Sequence, residues 1–293
     1  QRAWDKSQVN EKHHVNKSEP DLIIEIAENI PEWSVMLGLV GEGQEIHTGE
    51  EAGIAQWRDA IRAANKQWMV VCPPKLENIF IDICEVKTFD KLDLNVTLRS
   101  HLADDVSKWV ASLLDEKIES ANNISKNIHR QGFNMYVTRN FTRAKNYCRR
   151  RYDNNSIKRY GLVCSSKAKV LPRYGFDNSF QTTKSLKVGP WYNEPVGNIN
   201  SCCQLEKVVT EFSCQGLELD MPIVCWGEDL LWNNGRWKNF NGKSKCRDPH
   251  QIRLNSYRVL LTRGRDGFIV YIPDDRILDE TFDILEQAGL RTL

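Results

Sequence analysis

Two arginines near the C-terminus have the type and spacing to bind phosphate. Arg258 and Arg263 are five residues apart in the stretch YRVLLTRG, which precedes an apolar segment. The arginine guanidinium is permanently charged, and its planar fork matches the geometry of phosphate oxygens. Thr262-Arg263 therefore suits an arginine finger, the cation that stabilises developing charge during phosphoryl transfer.

A second candidate is the stretch TEFSCQGLELD at residues 210–220, which precedes the apolar residues 221–226. Gly216 permits a tight turn. The carboxylate of Glu218 could hold a ribose, the backbone or a group that contacts nucleic acid. A solvated loop before a strand explains these residues equally well, and both interpretations stay open.

A polar loop with the sequence GEGQE, at residues 41–45, follows the apolar run 33–40. Loops at the carboxyl ends of parallel strands are where α/β sheets bind ligands. Gln44 could hydrogen-bond to a γ-phosphate or to an attacking water without carrying charge. The alternative is an ordinary polar turn.

Basic residues are concentrated between positions 139 and 159, where eight of them accompany one acid. Four arginines of this stretch fall on a predicted helix: Arg143, Arg149, Arg150 and Arg151. Tyrosines interleave with them, and basic side chains with aromatic faces suit single-stranded nucleic acid. A solvated helix face is the alternative.

A phosphate-binding loop is not found in the chain. The tripeptide Gly242-Lys243-Ser244 matches the end of that motif, but the glycine required five positions before Gly242 is replaced by Trp237. No apolar strand precedes it either. The match is therefore accidental.

Helices and short apolar runs alternate along the chain, which predicts an α/β fold with parallel strands. Ser18-Glu19-Pro20-Asp21 predicts a helix start. Predicted strands cover residues 33–40, 68–72, 79–86, 92–98, 133–138, 160–164, 221–226 and 268–272. Predicted helices cover residues 50–64, 102–128, 141–152 and 282–290, and residues 230–249 are predicted to be an inserted loop.

Composition excludes several classes of protein. Forty basic and 39 acidic side chains give a net charge of +1, so any nucleic-acid surface must be local. We find no run of roughly 18 apolar residues and no signal peptide. The nine cysteines include no C-x-x-C pair, so we expect buried free thiols, no metal site and a cytoplasmic location.

The ordered motifs resemble those of superfamily 1 helicases, specifically the Schlafen-group-3-like DNA/RNA helicase family. QRAW at residues 1–4 is similar to the continuation of motif II, and LVGEGQEIHTGE to motif III, with Gln44 one residue earlier than usual. LRS at residues 98–100 resembles motif IV. CQGLELD resembles motif V, with Gln215 where many relatives have lysine, and YRVLLTRG resembles motif VI.

This resemblance implies two RecA-like domains with parallel sheets and flanking helices. Residues 1–74 would be the C-terminal part of the first domain, with a boundary at Pro73-Pro74. Residues 75–293 would be a complete second domain with an inserted loop around 230–250.

The resemblance also implies roles for particular residues. Gln44, Arg99 and Arg263 would be catalytic, and Gly216, Glu218 and Arg258 would help to bind the nucleotide. ATP and magnesium would be the cofactors, bound together with an upstream part of the protein that carries the phosphate loop and the acidic pair. Without these, the 293 residues are expected to be inactive alone.

Two other functions compete with a helicase or translocase part. One is a nucleic-acid-binding or regulatory module without ATPase activity, which fits the missing phosphate loop and the basic stretch. The other is a structural α/β protein with chance similarity to the motifs.

Overall fold

The computed structural model describes residues 4–39, 53–93, 101–239 and 248–293. The chain divides into two compact units. Unit 1 contains residues 1–96 and 245–248, and unit 2 contains residues 97–244 and 249–293. In the described part of the chain, no helix combines the length and apolar character needed to cross a membrane.

Unit 1 is a small α/β body. Its elements are α1 (Lys6–His13), α2 (Glu19–Glu28), α3 (Ala55–Arg62), β1 (Met69–Cys72), α4 (Glu77–Phe80) and β2 (Glu85–Thr88). The strands β1 and β2 form a two-stranded parallel sheet in which Met69 is paired with Glu85.

The predicted start of helix α2 is confirmed. Ser18 is the N-cap residue, and its hydroxyl accepts a hydrogen bond from the backbone N–H of Asp21 at 3.2 Å. The Asp21 carboxylate accepts one in return from the backbone N–H of Ser18 at 2.9 Å. This reciprocal pair satisfies two donors that a helix start otherwise leaves without partners.

The strand predicted over residues 33–40 is wrong for the described residues 33–39, which form neither helix nor strand. Trp33, Val35 and Leu37 are 76%, 83% and 82% exposed. A buried strand requires neighbours on both edges, and no described strand pairs with this segment. The apolar run alone therefore predicted the wrong environment.

Two further strand predictions in unit 1 need correction. Residues 79–86 begin inside α4, and the strand in this region is β2, which starts only at Glu85. Of the predicted strand 92–98, Leu92 lies in a 3-10 turn and residues 94–98 lie outside the described part. Short apolar runs of this kind fit a buried helical turn as well as a strand.

Unit 2 is built on a six-stranded parallel sheet with the order β10-β3-β9-β6-β4-β5. Its strands are β3 (Asn134–Thr138), β4 (Tyr160–Cys164), β5 (Val208–Thr210), β6 (Met221–Cys225), β9 (Gly267–Tyr271) and β10 (Arg291–Thr292). A separate antiparallel hairpin is formed by β7 (Leu230–Asn233) and β8 (Arg236–Asn239).

Helices flank this sheet. They are α5 (His101–Leu114), α6 (Ile118–Arg130), α7 (Phe141–Arg151), α8 (Phe180–Ser185), α9 (Val188–Asn193), α10 (Glu211–Cys214), α11 (Pro249–Leu261) and α12 (Asp279–Gln287). The chain crosses the sheet in one direction from β3 to β4 and β5, and in the other from β5 to β6, β9 and β10. Because such crossovers are right-handed, α7 lies on one face and α10, α11 and α12 on the other. This is a RecA-like α/β fold.

The central strands of unit 2 follow the sequence prediction closely. Every residue of β4, β6 and β9 is buried, as expected for strands covered by helices on both faces. Helix α7 also begins and ends within a residue of its predicted bounds. Of the described cysteines, all but Cys84 are buried, which confirms the expectation that most of them are small core residues.

Two predictions in unit 2 are wrong in detail. The long helix 102–128 is two helices, α5 and α6, because the chain turns at Glu116, where φ is +65°. The predicted inserted loop contains the β7–β8 hairpin, whose turn places Asn234 and Gly235 at positive φ. An Asn-Gly turn between short strands is a hairpin signal that the polar composition obscured.

All strands of the six-stranded sheet are parallel, so their first residues share one edge, the amino edge, and their last residues share the carboxyl edge.

A charged cluster stabilises the amino edge. Lys158 Nζ lies 2.9 Å from Asp220 Oδ1 and 2.7 Å from Asp266 Oδ2. Asp220 Oδ2 also accepts the backbone N–H of Arg159, and Asp266 accepts the hydroxyl of Tyr152 at 3.0 Å. Four segments of the chain meet at these two carboxylates.

We expect Asp220→Ala to lower the free energy of unfolding by about 2–3 kcal/mol, because Lys158 and the backbone N–H of Arg159, both partly buried, lose a charged acceptor. Urea denaturation followed by tryptophan fluorescence measures the change. The matched control is Asp283→Ala, an exposed acid of α12, which should change stability by less than about 0.5 kcal/mol. Equal effects of the two substitutions would contradict a structural role for the cluster.

Candidate functional site

The two arginine- and glycine-containing stretches singled out in the sequence lie side by side at the amino edge. Residues 214–220 run into β6, and residues 262–266 run into its neighbour β9. Leu219 forms a parallel bridge with Gly264. The N–H of Leu219 donates to Arg263 O, and the N–H of Arg265 donates to Leu219 O, both at 2.8 Å. The fold thus brings together residues that are more than 40 positions apart.

Arg263 lies at the centre of this junction and is only 3% exposed. Its Nε donates to the carbonyl of Val259 at 2.8 Å, which closes the end of α11. Its Nη1 donates to the carbonyl of Leu217 at 3.2 Å, and its Nη2 to the hydroxyl of Thr262 at 2.9 Å. The guanidinium is therefore held in one orientation against the 214–220 segment.

The other predicted residues of this region surround Arg263. Gly216 has φ +88°, which confirms the tight turn, and a Cβ there would meet no atom within 4 Å. Glu218 forms an ion pair with Arg265 at 2.9 Å, and its carbonyl accepts the hydroxyl of Tyr192. Arg258 lies one turn earlier on α11, with Nη1 bonded to Asn255 Oδ1.

The basic helix α7 does not form one patch. It follows β3, so its start lies near the carboxyl edge and its end near the amino edge. Arg143, near the start, donates to the carbonyl of Leu293 at 3.3 Å. Arg149, Arg150 and Arg151 lie at the exposed end, about 9–12 Å farther along the helix axis. Arg151 also donates to the hydroxyls of Tyr147 and Tyr152.

Two predicted catalytic residues, Gln44 and Arg99, lie outside the described residues. Among the residues that are described, no group of three or more histidines, cysteines or acids could hold a metal ion.

Sequence reasoning missed a buried charged cluster at the carboxyl edge, around Arg253 of α11. Arg253 Nη1 donates to Ser165 Oγ at 2.7 Å and lies 3.8 Å from Glu211 Oε1. Its Nε lies 3.1 Å from Asp229 Oδ2, which is an ionic contact rather than a directed hydrogen bond. Arg253 is 5% exposed and Asp229 is fully buried.

Neutral groups complete the cluster. Asp229 accepts hydrogen bonds from the hydroxyl of Ser165 at 2.6 Å and from that of Tyr257 at 2.8 Å. Glu211 accepts the backbone N–H and the hydroxyl of Ser166, at 2.8 and 2.9 Å. Burial raises the pKa of the Glu211 carboxyl, and the hydrogen bonds from Ser166 and the charge of Arg253 oppose that rise.

This cluster fixes the loops at a position where α/β sheets bind ligands. Ser165 follows β4, Glu211 follows β5 and Asp229 follows β6. The crossovers after β4 and β6 leave on opposite faces of the sheet, and adjacent strands of this kind are where α/β sheets bind ligands. Lys167 and Lys169 are exposed on the loop that follows β4.

A sequence signal for the cluster existed but was not used. Glu211 directly follows an apolar strand and Asp229 lies four residues after another, and Arg253 and Tyr257 are four residues apart on one helix face. No pattern in the sequence shows that the arginine is buried between the two acids.

We expect Arg253→Met to lower the free energy of unfolding by about 3–5 kcal/mol, because two buried carboxylates lose their only cation in the cluster. Urea denaturation again measures the change, with the exposed Arg276→Met as the matched control. A loss no larger than that of the control would show that the buried charges are not interdependent.

Comparison with known proteins identifies the family of the chain. No curated protein matches the chain significantly. The sequence profile described as "Schlafen group 3, DNA/RNA helicase domain" matches residues 1–274. The match includes both segments that meet at Arg263 and the whole carboxyl-edge cluster. The chain therefore belongs to the Schlafen group 3 DNA/RNA helicase domain family, and its function is helicase-related.

Proposed function

We propose that the chain is part of an ATP-dependent DNA or RNA helicase or translocase and supplies its motifs III to VI. The observation that carries this proposal is the contact between residues 214–220 and 262–266, with Arg263 fixed between them. A preorganised cation costs no reorganisation when charge develops beside it. Arg263 has this property because Nε, Nη1 and Nη2 of its guanidinium each donate a hydrogen bond to a fixed group of the protein.

We propose that residues at the amino edge bind the nucleotide. Arg263 and Arg258 would face its phosphates, and Glu218 would bind its ribose beside the open turn at Gly216. Bound ATP supplies the free energy of phosphoryl transfer. Gln44 and Arg99 are proposed to complete the catalytic set on the basis of the family motifs that they match.

We propose that the phosphate loop, the acidic pair and the magnesium site come from an upstream part of the same protein. Residues 1–74 would complete the first RecA-like domain with that part, and residues 75–293 would be the second. Unit 1 supports this because it exposes many apolar side chains, including Ile26, Trp33, Val35, Leu37 and Val71. Exposed apolar surface of this extent is typical of a surface that another segment covers.

In a protein that includes the upstream part, we expect Arg263→Ala to reduce nucleic-acid-stimulated ATP hydrolysis by about 10³-fold or more. An arginine finger contributes only when charge develops, so nucleotide binding should change much less than the rate. The rate is measured by phosphate release at saturating ATP.

Arg263 also supports the end of α11, so two further variants separate catalysis from folding. Arg263→Lys keeps the charge and loses the planar fork, and it should fold while remaining strongly impaired. Arg236→Ala removes an exposed arginine of the β7–β8 hairpin and should leave the rate unchanged. Equal rates for wild type and Arg263→Ala would rule out the finger.

For nucleic acid we propose single-stranded binding, with Arg143, Arg149, Arg150 and Arg151 as contacts. The exposed arginines at the end of α7 support this, together with the ring of Tyr147, which lies 6.0 Å from the Arg151 guanidinium. These three arginines lie at the amino edge of the sheet, as Arg263 does.

We expect the triple substitution of Arg149, Arg150 and Arg151 by glutamine to weaken binding of a labelled oligo-dT. The slope of log K against log salt should fall by about 2, since each phosphate contact to a single strand contributes about 0.7. Fluorescence anisotropy at several salt concentrations measures both quantities. The single variant Arg143→Gln, at the other end of α7, tests whether one surface or two are used. A slope unchanged by the triple substitution would remove α7 from the interface.

The alternative function is a nucleic-acid-binding or regulatory module without ATPase activity. It is favoured by the absence of the phosphate-loop motif from the 293 residues, together with the basic end of α7. It predicts salt-dependent binding to single strands and no ATP hydrolysis even when the upstream part is present.

A further inference from the structure

Unit 2 has a cavity of about 410 Å³ that none of the proposed roles uses. It lies between the last turns of α6 and the segment that leads into β10. Its lining consists of Asn122, Ser125, Lys126, His129, Arg130, Gly289 and Arg291. Three of these side chains are permanent cations, a fourth is a histidine, and none of the seven is acidic.

The floor of the cavity is a fixed part of the fold. Asn122 Nδ2 donates to the carbonyl of Gln287 at 2.7 Å, and His129 Nε2 lies 2.9 Å from the carbonyl of Gly289. Gly289 has φ +103°, and a Cβ there would lie 2.0 Å from Ser125 Oγ. The segment 287–289 is therefore fastened closely against α6, so the cavity does not depend on the position of a loose loop.

The cations around the cavity form no ion pair with the described residues. In the described part of the chain, Lys126, Arg130 and Arg291 form no ion pair within 4 Å, although many other lysines and arginines do. Lys126 Nζ donates only to the neutral side-chain oxygen of Asn123, at 3.0 Å. Like charges held around one cavity repel each other, and an anion bound between them removes that repulsion.

The position at the end of α6 explains only part of this charge. Cations in a last turn interact favourably with the helix dipole by about 0.3–1 kcal/mol each. That interaction accounts for Arg130. It does not account for Arg291, which comes from β10 and converges on the same cavity.

We propose that this cavity is a binding site for phosphate groups, formed by Lys126, Arg130 and Arg291 with His129. The lining has cationic and neutral donors and, apart from the histidine ring, no aromatic face on which a base could stack. The site therefore recognises phosphate itself, either in a nucleic-acid backbone or as a small polyphosphate. It is separate from the proposed nucleotide site, and the small-anion test below does not depend on the proposed function.

The test uses the 293-residue chain and two probes, pyrophosphate measured by calorimetry and a labelled dT oligonucleotide measured by anisotropy. The pocket variant is Lys126→Gln/Arg130→Gln/Arg291→Gln. The control variant, Lys187→Gln/Lys207→Gln/Arg236→Gln, removes three exposed cations elsewhere in unit 2 and changes the net charge equally. All six positions are exposed, and circular dichroism confirms that both variants fold.

We expect the pocket variant to bind at least one probe about tenfold more weakly than the control variant. If the oligonucleotide is the weakened probe, its salt slope should also fall by about 2, and the site binds backbone phosphate. Weakening of pyrophosphate alone identifies a small polyphosphate ligand. If the pocket and control variants agree within twofold for both probes, or if wild type binds neither, the proposal is wrong.

Discussion

The buried positive charge of Arg253 is the constraint on which the carboxyl edge of unit 2 depends. A cation removed from water is tolerated only when carboxylates and hydrogen-bond partners surround it closely. Those partners come from the ends of β4, β5 and β6, and Arg253 itself comes from α11. One side chain thus fixes three loops and a helix against each other. Loss of Arg253 would leave two buried carboxylates without a cation.

The amino edge also has a charged cluster, but its side chains are less deeply buried than those around Arg253. Lys158 is partly exposed, and its two carboxylate partners are Asp220 and Asp266. Asp220 is the last residue of the segment 214–220, which contains Glu218, and Asp266 is the last residue of the segment 262–266, which contains Arg263. The proposed nucleotide-binding residues therefore rest on a cluster that water can partly screen, whereas the carboxyl-edge loops rest on one that water does not reach.

Sequence reasoning succeeded where a local pattern carries the information. Continuous apolar runs gave β4, β6 and β9, and the Ser18 capping pattern gave the start of α2. It failed where a neighbour decides the outcome, as for Trp33 and its apolar run, which has no described strand beside it. The site shows the same division. Motif resemblance pointed to Arg263, whose contacts with the 214–220 segment the fold supplies. The burial of Arg253 depends on strand ends far away in the chain, so no local pattern reveals it.

Helix α11 extends from one edge of the sheet to the other. Arg253 lies near its start and Arg263 lies just beyond its end, about 15 Å along the axis. Nine of its thirteen residues are buried in a closely packed core, so it cannot bend or slide separately from the sheet. Helix α11 therefore connects the two edges of the sheet as one rigid element. The loops that hold Arg253 and the guanidinium of Arg263 are thus attached to opposite ends of one helix.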